Sequence, residues 1–191
     1  MRREFFNPSK ISFDPIENEI KVISNLDSPY VVKAYEILEN KNFTYIVMEY
    51  MKNGSLYSFL KKNKLSIEDI KRIFIDLIMG IEYLHFRANI IHFDIKLDNL
   101  LLDENLGLKV SDFGISKIIE DNDDIIKSNK FGSPFYIAPE MIIKDNSFHG
   151  KPIDIWACGI VLYYLVFGKL PFTVISSNEL LVLYDLIKYK E

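Results

Sequence analysis

Cysteine is nearly missing from this sequence. Cys158 is the single one in 191 residues, which excludes an internal disulfide and suits a reducing, cytoplasmic setting, with the nucleus as a second one. Its apolar neighbours mark it as a buried structural thiol rather than a reactive one. Histidines number three, and with one cysteine they make no cluster of the kind a zinc site needs. Glycines number eight, and no G-x-G-x-x-G occurs. Charge of one sign never accumulates: the net charge is −4 and the pI about 5.5, so a general attraction to nucleic acid or to an anionic membrane is excluded. The densest basic cluster, Lys61-Lys62-Asn63-Lys64, reads as a solvated loop before a capped helix. No apolar stretch follows the basic start Met1-Arg2-Arg3-Glu4, which leads instead into Asn7-Pro8-Ser9-Lys10, so no secretory signal is expected. The uncharged stretch Ile155 to Gly168 is fourteen residues long, short for a membrane span, and reads as a core helix.

What is present suits one globular domain or one two-lobed unit: 49% hydrophobic and 26% charged residues. Asp14-Pro15-Ile16-Glu17 opens a helix that should run to about Leu26, and Asp27-Ser28-Pro29 ends it. Val31 to Leu38 and Phe43 to Tyr50 read as strands joined by a polar turn. A short helix is expected over Leu56 to Leu60. Ser66 should cap a longer one whose stripe is Ile70, Ile73, Phe74, Leu77, Ile78, Ile81 and Leu84. One more amphipathic helix is expected over Asn178 to Tyr189.

The chemistry is concentrated between Ile90 and Gly114. Leu100 to Leu102 and Leu108 to Val110 flank a turn-forming loop, Asp103-Glu104-Asn105-Leu106-Gly107, and so predict a β-hairpin. Such a frame sets polar groups at strand ends, where Asp94, Lys96, Asn99 and Asp112 can serve a nucleotide phosphate and its magnesium. A lone Asp-x-Lys-x-x-Asn arises by chance in polar loops, and so does a lone Asp-Phe-Gly. Here Asp94-x-Lys96-x-x-Asn99, Asp112-Phe113-Gly114 and Ala138-Pro139-Glu140 follow in order, with Asp154-Ile155-Trp156-x-x-Gly159 after them.

That series resembles the catalytic core of eukaryotic protein kinases, of the serine/threonine type. The resemblance implies an α+β, two-lobed fold: a partial small lobe over residues 1–51 with a helix, two strands and a hinge, then a mainly helical large lobe over 52–191. It implies ATP and Mg2+ as cofactors and a protein as substrate; oligomeric state is left open. Asp94 and Lys96 become the catalytic pair, and Asn99 and Asp112 the metal ligands. Backbone groups of Glu49 and Met51, with Leu101, Lys96, Asn99 and Asp112, become the nucleotide contacts. The resemblance also gives Glu19 as the helix glutamate that pairs with a strand lysine, His92 as a structural ring packed on Phe113, and Asp154 as the holder of the catalytic loop. Ile119 to Lys130 is similar to an activation loop and Gly132 to Glu140 to a substrate-docking segment. Lys96, and the absence of the Ala-Ala-Arg arrangement that tyrosine kinases carry, favour serine/threonine specificity.

Departures from the pattern qualify those expectations. The strand lysine and glycine-rich loop have no counterpart, since Lys10 falls among prolines. Losing one preorganised electrostatic donor costs about 10²–10³ in rate, so a chain truncated at both ends is expected to be weak or inactive. Glu140 is expected as a buried carboxylate without the arginine that meets it elsewhere. Phe93 stands where most members have arginine, and Asn129, beside Ser128, where the loop phosphate would be. Both halves of a phosphorylation switch are thus absent together. Ser133 in place of threonine keeps a hydroxyl near Asp94. Asp98 is acidic near the cleft, while Ser55 stands where basic-directed kinases often have a carboxylate. The rival reading is a pseudokinase or inactive fragment acting as a binding module; a small-molecule kinase is disfavoured by the docking segment.

Overall fold

A computed structural model describes residues 15–119, 125–127, 132–142, 147–174 and 180–189. Pro15 stands at the first position of α1 (Pro15–Ile23), where its missing N–H costs nothing; the expected cap Asp14 lies outside the described residues. The helix buries Glu19, Val22 and Ile23. β1 (Ala34–Glu39) and β2 (Thr44–Met48) form the expected antiparallel hairpin, with a register shift between Ala34 and Glu36. Its turn is closed by the Asn40 side chain, whose Oδ1 accepts the N–H groups of Asn42 and Phe43, both at 2.9 Å. The first strand starts later than its composition suggests, because Val31 and Val32 are used elsewhere. Val31 bridges Val110, and Val32 donates to the Val110 carbonyl at 3.0 Å.

β3 (Gly54–Ser55) leads directly into α2 (Leu56–Leu60), which Ser55 caps by accepting from the Ser58 N–H. The lysine-rich turn after it is exposed, as expected. α3 (Ile67–Phe86) opens on a full capping box between Ser66 and Asp69. It buries Ile70, Ile73, Leu77, Ile81 and Leu84, but Phe74 is only half-buried and Ile78 is 37% exposed. The stripe is therefore narrower than its composition suggests: at 100° per residue, positions one beyond each contact rotate onto the flank. Gly80 lets the helix cross close to the next hairpin, since a Cβ there would lie 3.0 Å from Val110 Cγ2 and 3.1 Å from the Tyr30 carbonyl.

β4 (Ile90–Ile91) follows, then the predicted hairpin of β5 (Leu100–Leu102) and β6 (Leu108–Val110), paired Leu100 to Val110 and Leu102 to Leu108. With β3 they make a sheet of order β3-β5-β6. Leu100, Leu102, Leu108 and Val110 face the core with Leu77, Ile81 and Phe113, while Leu101 and Lys109 point the other way. β7 (Lys117–Ile118) pairs with β4. The region expected to be a polar loop contains a strand: β8 (Ile125–Lys127) pairs with β9 (Ser147–His149), and Ile126 is buried. Residues 120–124 and 128–131, which include Ser128 and Asn129, lie outside the described residues.

A 3-10 turn at Pro134–Tyr136 and α4 (Pro139–Ile142) precede α5 (Gly150–Phe167). α5 is longer than the uncharged stretch suggested and, among the described residues, is the one helix long and apolar enough by composition to cross a bilayer. It nevertheless buries Asp154 together with Ile153, Ala157, Cys158, Ile160, Val161 and Leu165. Gly168 ends it in the left-handed region, φ 69°, returning its N–H to the Tyr164 carbonyl at 2.8 Å. α6 (Leu180–Tyr189) is the last element and buries Leu183 and Ile187. The architecture is α+β.

Candidate active site

The loop between β4 and β5 hangs from one buried carboxylate on α5. Asp154, 1% exposed, accepts the His92 N–H on Oδ2 at 2.8 Å and the Phe93 N–H on Oδ1 at 2.9 Å, and Oδ2 also meets His85 Nε2 at 2.8 Å. A carboxylate in so dry a place needs such donors, and backbone N–H groups supply them without side-chain entropy. The His92 ring fixes the next link. Its Nε2 faces the Ser111 carbonyl at 3.0 Å and its Nδ1 the Asp94 N–H at 3.2 Å, which fits the neutral tautomer protonated on Nε2. Its ring centroid lies 5.2 Å from that of Phe113, the planes tilted by 55°, as expected of a structural histidine. Phe93 and Asp112 both adopt left-handed backbone, φ 64° and 68°, a conformation that surrounding structure must hold in place.

Asp94 is the centre of a polar cluster. Its Oδ2 accepts from Lys96 Nζ at 2.6 Å and from Asn99 Nδ2 at 3.0 Å, and its Oδ1 from the Ser133 hydroxyl at 3.0 Å. Lys96 also donates to Ser133 Oγ at 3.1 Å. Two segments distant in sequence, 94–99 and the one that carries Ser133, thus meet at one carboxylate. Asn99 is buried and spends its amide nitrogen on Asp94, with a second bond to the Asp94 carbonyl at 2.9 Å, so its Oδ1 is the atom left for a cation. The Asn99 carbonyl accepts both the N–H and the hydroxyl of Ser111, at 2.9 and 2.8 Å, which registers Asp112, the next residue, against it. An amide oxygen and a carboxylate are hard ligands suited to magnesium, which takes its other ligands from phosphates and water. Among the described residues no group of three or more His, Cys, Asp and Glu gathers as a metal cage.

At the expected hinge, the Glu49 N–H is already committed to the Lys33 carbonyl at 2.9 Å. Its carbonyl and the Met51 N–H are the backbone groups left to meet a base. The Glu49 carboxylate accepts from Lys109 Nζ at 2.9 and 2.7 Å and from the Lys33 N–H at 2.6 Å. Leu101 is half-buried on the face of β5 opposite Leu100 and Leu102. Glu19 is buried on α1, 7% exposed, as expected for a helix glutamate turned inward, and Lys10 lies outside the described residues.

Phe93 is buried with Ile91, Ile119, Ile126, Ala138, Phe148 and Ile153, so an apolar cluster occupies the place where the resemblance puts an arginine. Gly132 is required by position: φ is 85°, and a Cβ would lie 2.6 Å from the Phe93 carbonyl. Tyr136 is desolvated, which pushes its phenol up to about 12 despite a hydrogen bond to the Leu97 backbone. Burial, reinforced by the Asp154 carboxylate, holds the Cys158 thiol well above its usual range. Glu140 is half-buried rather than enclosed, contrary to expectation, and no residue of α4 is buried. Asp98 is exposed.

Three participants escaped sequence reasoning: Asn18, Ser116 and Lys109. Lys109 carried a signal, as the one charged residue between two core positions of a strand. Asn18 and Ser116 carried none, because their partners are backbone atoms.

Comparison with known proteins identifies the family. The model of the protein kinase domain matches residues 5–187. The SNF1-related protein kinase catalytic subunit alpha KIN12 of Arabidopsis thaliana is 40% identical over 82% of this chain and 31% of its own length. CBL-interacting protein kinase 10 of Oryza sativa subsp. japonica is 39% identical over 83% of the chain and 35% of its own. NUAK family SNF1-like kinase 1 of Homo sapiens is 34% identical over 92% and 26%. The chain therefore spans about a third of the length of the curated relatives it matches.

Proposed function

The chain belongs to the protein kinase domain family, and from that premise we propose that it is the catalytic core of a serine/threonine kinase, passing the ATP γ-phosphoryl group to protein hydroxyls. The observation that carries the reading is the convergence of Lys96, Asn99 and Ser133 on the Asp94 carboxylate. In this reading Asp94 orients the acceptor hydroxyl and takes its proton, and Lys96 offsets charge on the moving phosphoryl group. Asn99 Oδ1 and the Asp112 carboxylate would hold Mg2+, which supplies charge neutralisation between phosphate oxygens. The Glu49 carbonyl and Met51 N–H, with Leu101 beneath, would take adenine. The two lobes divide near Met51, where the hinge leaves β2. The substrate is a protein, presented along Gly132 to Glu140, and the setting is the cytoplasm.

The apolar packing of Phe93 supports activity that does not depend on phosphorylation of the loop. The test is phosphate transfer from labelled ATP with Mg2+ to a generic basic protein, followed by phosphoamino-acid analysis. Slow transfer to serine or threonine that Asp94→Asn abolishes is the expected result. Thermal stabilisation by Mg2+-ATP without transfer would favour a binding module, and the absence of both would overturn the assignment.

A further inference from the structure

α1 is tied to the turn that carries Asp112 by one side chain. Asn18 Nδ2 lies 2.9 Å from the Phe113 carbonyl, 3.0 Å from that of Ser116 and 3.4 Å from that of Gly114. The Phe113 carbonyl receives two further donors, the Ser116 hydroxyl at 2.7 Å and the Ser116 N–H at 3.1 Å. Ser116 is fully buried and Asn18 half-buried. Gly114 also approaches α1 directly, since a Cβ on it would sit 3.5 Å from Pro15 Cβ and 3.6 Å from the Pro15 carbonyl. The conformation so held is one the backbone does not favour, with Asp112 at φ 68°. Each of these carbonyls lies within four residues of the Asp112 side chain, so their orientation sets where its carboxylate points.

We propose that Asn18 is a positioning residue for Asp112: a neutral latch whose amide nitrogen holds the 113–116 carbonyls and thereby couples the placement of α1 to the metal-ligating geometry of the turn. The latch rests on the kinase reading only for the role of Asp112; the coupling itself is a property of the fold. Asn is suited to it because the amide offers two N–H donors on a short, uncharged stem. Aspartate has the same shape but presents oxygen to oxygen, and leucine fills the space with no donor.

The test compares Asn18→Asp, Asn18→Leu and Ser116→Ala in the full chain, with hydrogen exchange of the peptide covering 110–119 as the primary readout. Asn18→Leu should raise exchange there about tenfold relative to the unaltered chain, as the loss of one or two net hydrogen bonds implies. Asn18→Asp should show the same increase at pH 8, and the excess should shrink as the pH falls toward 5. Protonation returns an O–H donor to the carboxyl group, and a site surrounded by carbonyl oxygens favours that neutral form. Ser116→Ala should show a smaller increase, without pH dependence. If the chain transfers phosphate, Asn18→Leu should also raise the Mg2+ concentration for half-maximal rate more than it changes the KM for the protein substrate. Unchanged exchange in Asn18→Leu, or an Asn18→Asp excess that is flat with pH, would overturn the latch even in an active kinase. Altered exchange in a chain without transferase activity would keep the latch and sink the enzymatic reading.

Discussion

Replacing Asp154 by asparagine removes a charge while keeping the shape of the side chain, and its cost can be worked from the bonds. The carboxylate serves three donors: the His92 and Phe93 N–H groups and His85 Nε2. In the better of the two amide orientations the oxygen keeps His92 and His85, and the new NH2 faces the Phe93 N–H, donor against donor. One unmet buried donor costs about 1–3 kcal/mol, and the two surviving bonds fall from the charged range of about 1.5–3 to the neutral range of about 0.5–1.5 kcal/mol each. The total is roughly 3–6 kcal/mol, against about 5–15 for a whole domain. Urea unfolding should therefore show a midpoint far below that of the unaltered chain with the slope unchanged, and the 92–99 amides should exchange first. Asp154→Ala, which leaves every donor unmet, should cost more still. A loss under about 1 kcal/mol for Asp154→Asn would refute the reasoning, since it would mean that water already reaches these groups.

Other outcomes follow from the same geometry. Gly132→Ala places a methyl group against the Phe93 carbonyl at a positive φ, so it should lower stability by about 1–3 kcal/mol and phosphate transfer more than tenfold, measured by unfolding and by rate. Glu49→Gln and Lys109→Met, combined in a double-mutant cycle on urea stability, should give a coupling near 1 kcal/mol, because both side chains are under one-fifth exposed. Cys158 is buried, with its thiolate disfavoured, so a thiol reagent at pH 8 should label it only at the rate of unfolding. Labelling as fast as a free thiol would contradict that burial.

Much of this was legible in the chain. The 100–110 hairpin and the Ser66 cap are local devices written in consecutive residues, and each is found where its residues predict it. The Asp94 cluster was legible because its four members sit at fixed spacing along one short stretch and one later hydroxyl. The misreadings share a cause. The narrowed stripe of α3 and the half-open Glu140 depend on what an element meets across the fold, which periodicity does not encode. Asn18 is the extreme case: its partners lie 95 to 98 positions away and are backbone carbonyls, which every residue possesses.

The pairing of β8 with β9 joins the two ends of the span that carries Ser133. A strand pair at the neck of a loop shortens the free length beyond it, and the entropy of closure rises only with the logarithm of that length. The described part of that span, residues 132–142, is thereby cinched like a belt at its buckle. Sliding one of the two strands by a single notch would turn its buried residue, Ile126 or Phe148, outward and displace Ser133 relative to Asp94, so a substitution far from the reacting groups would detune the cleft by tailoring alone.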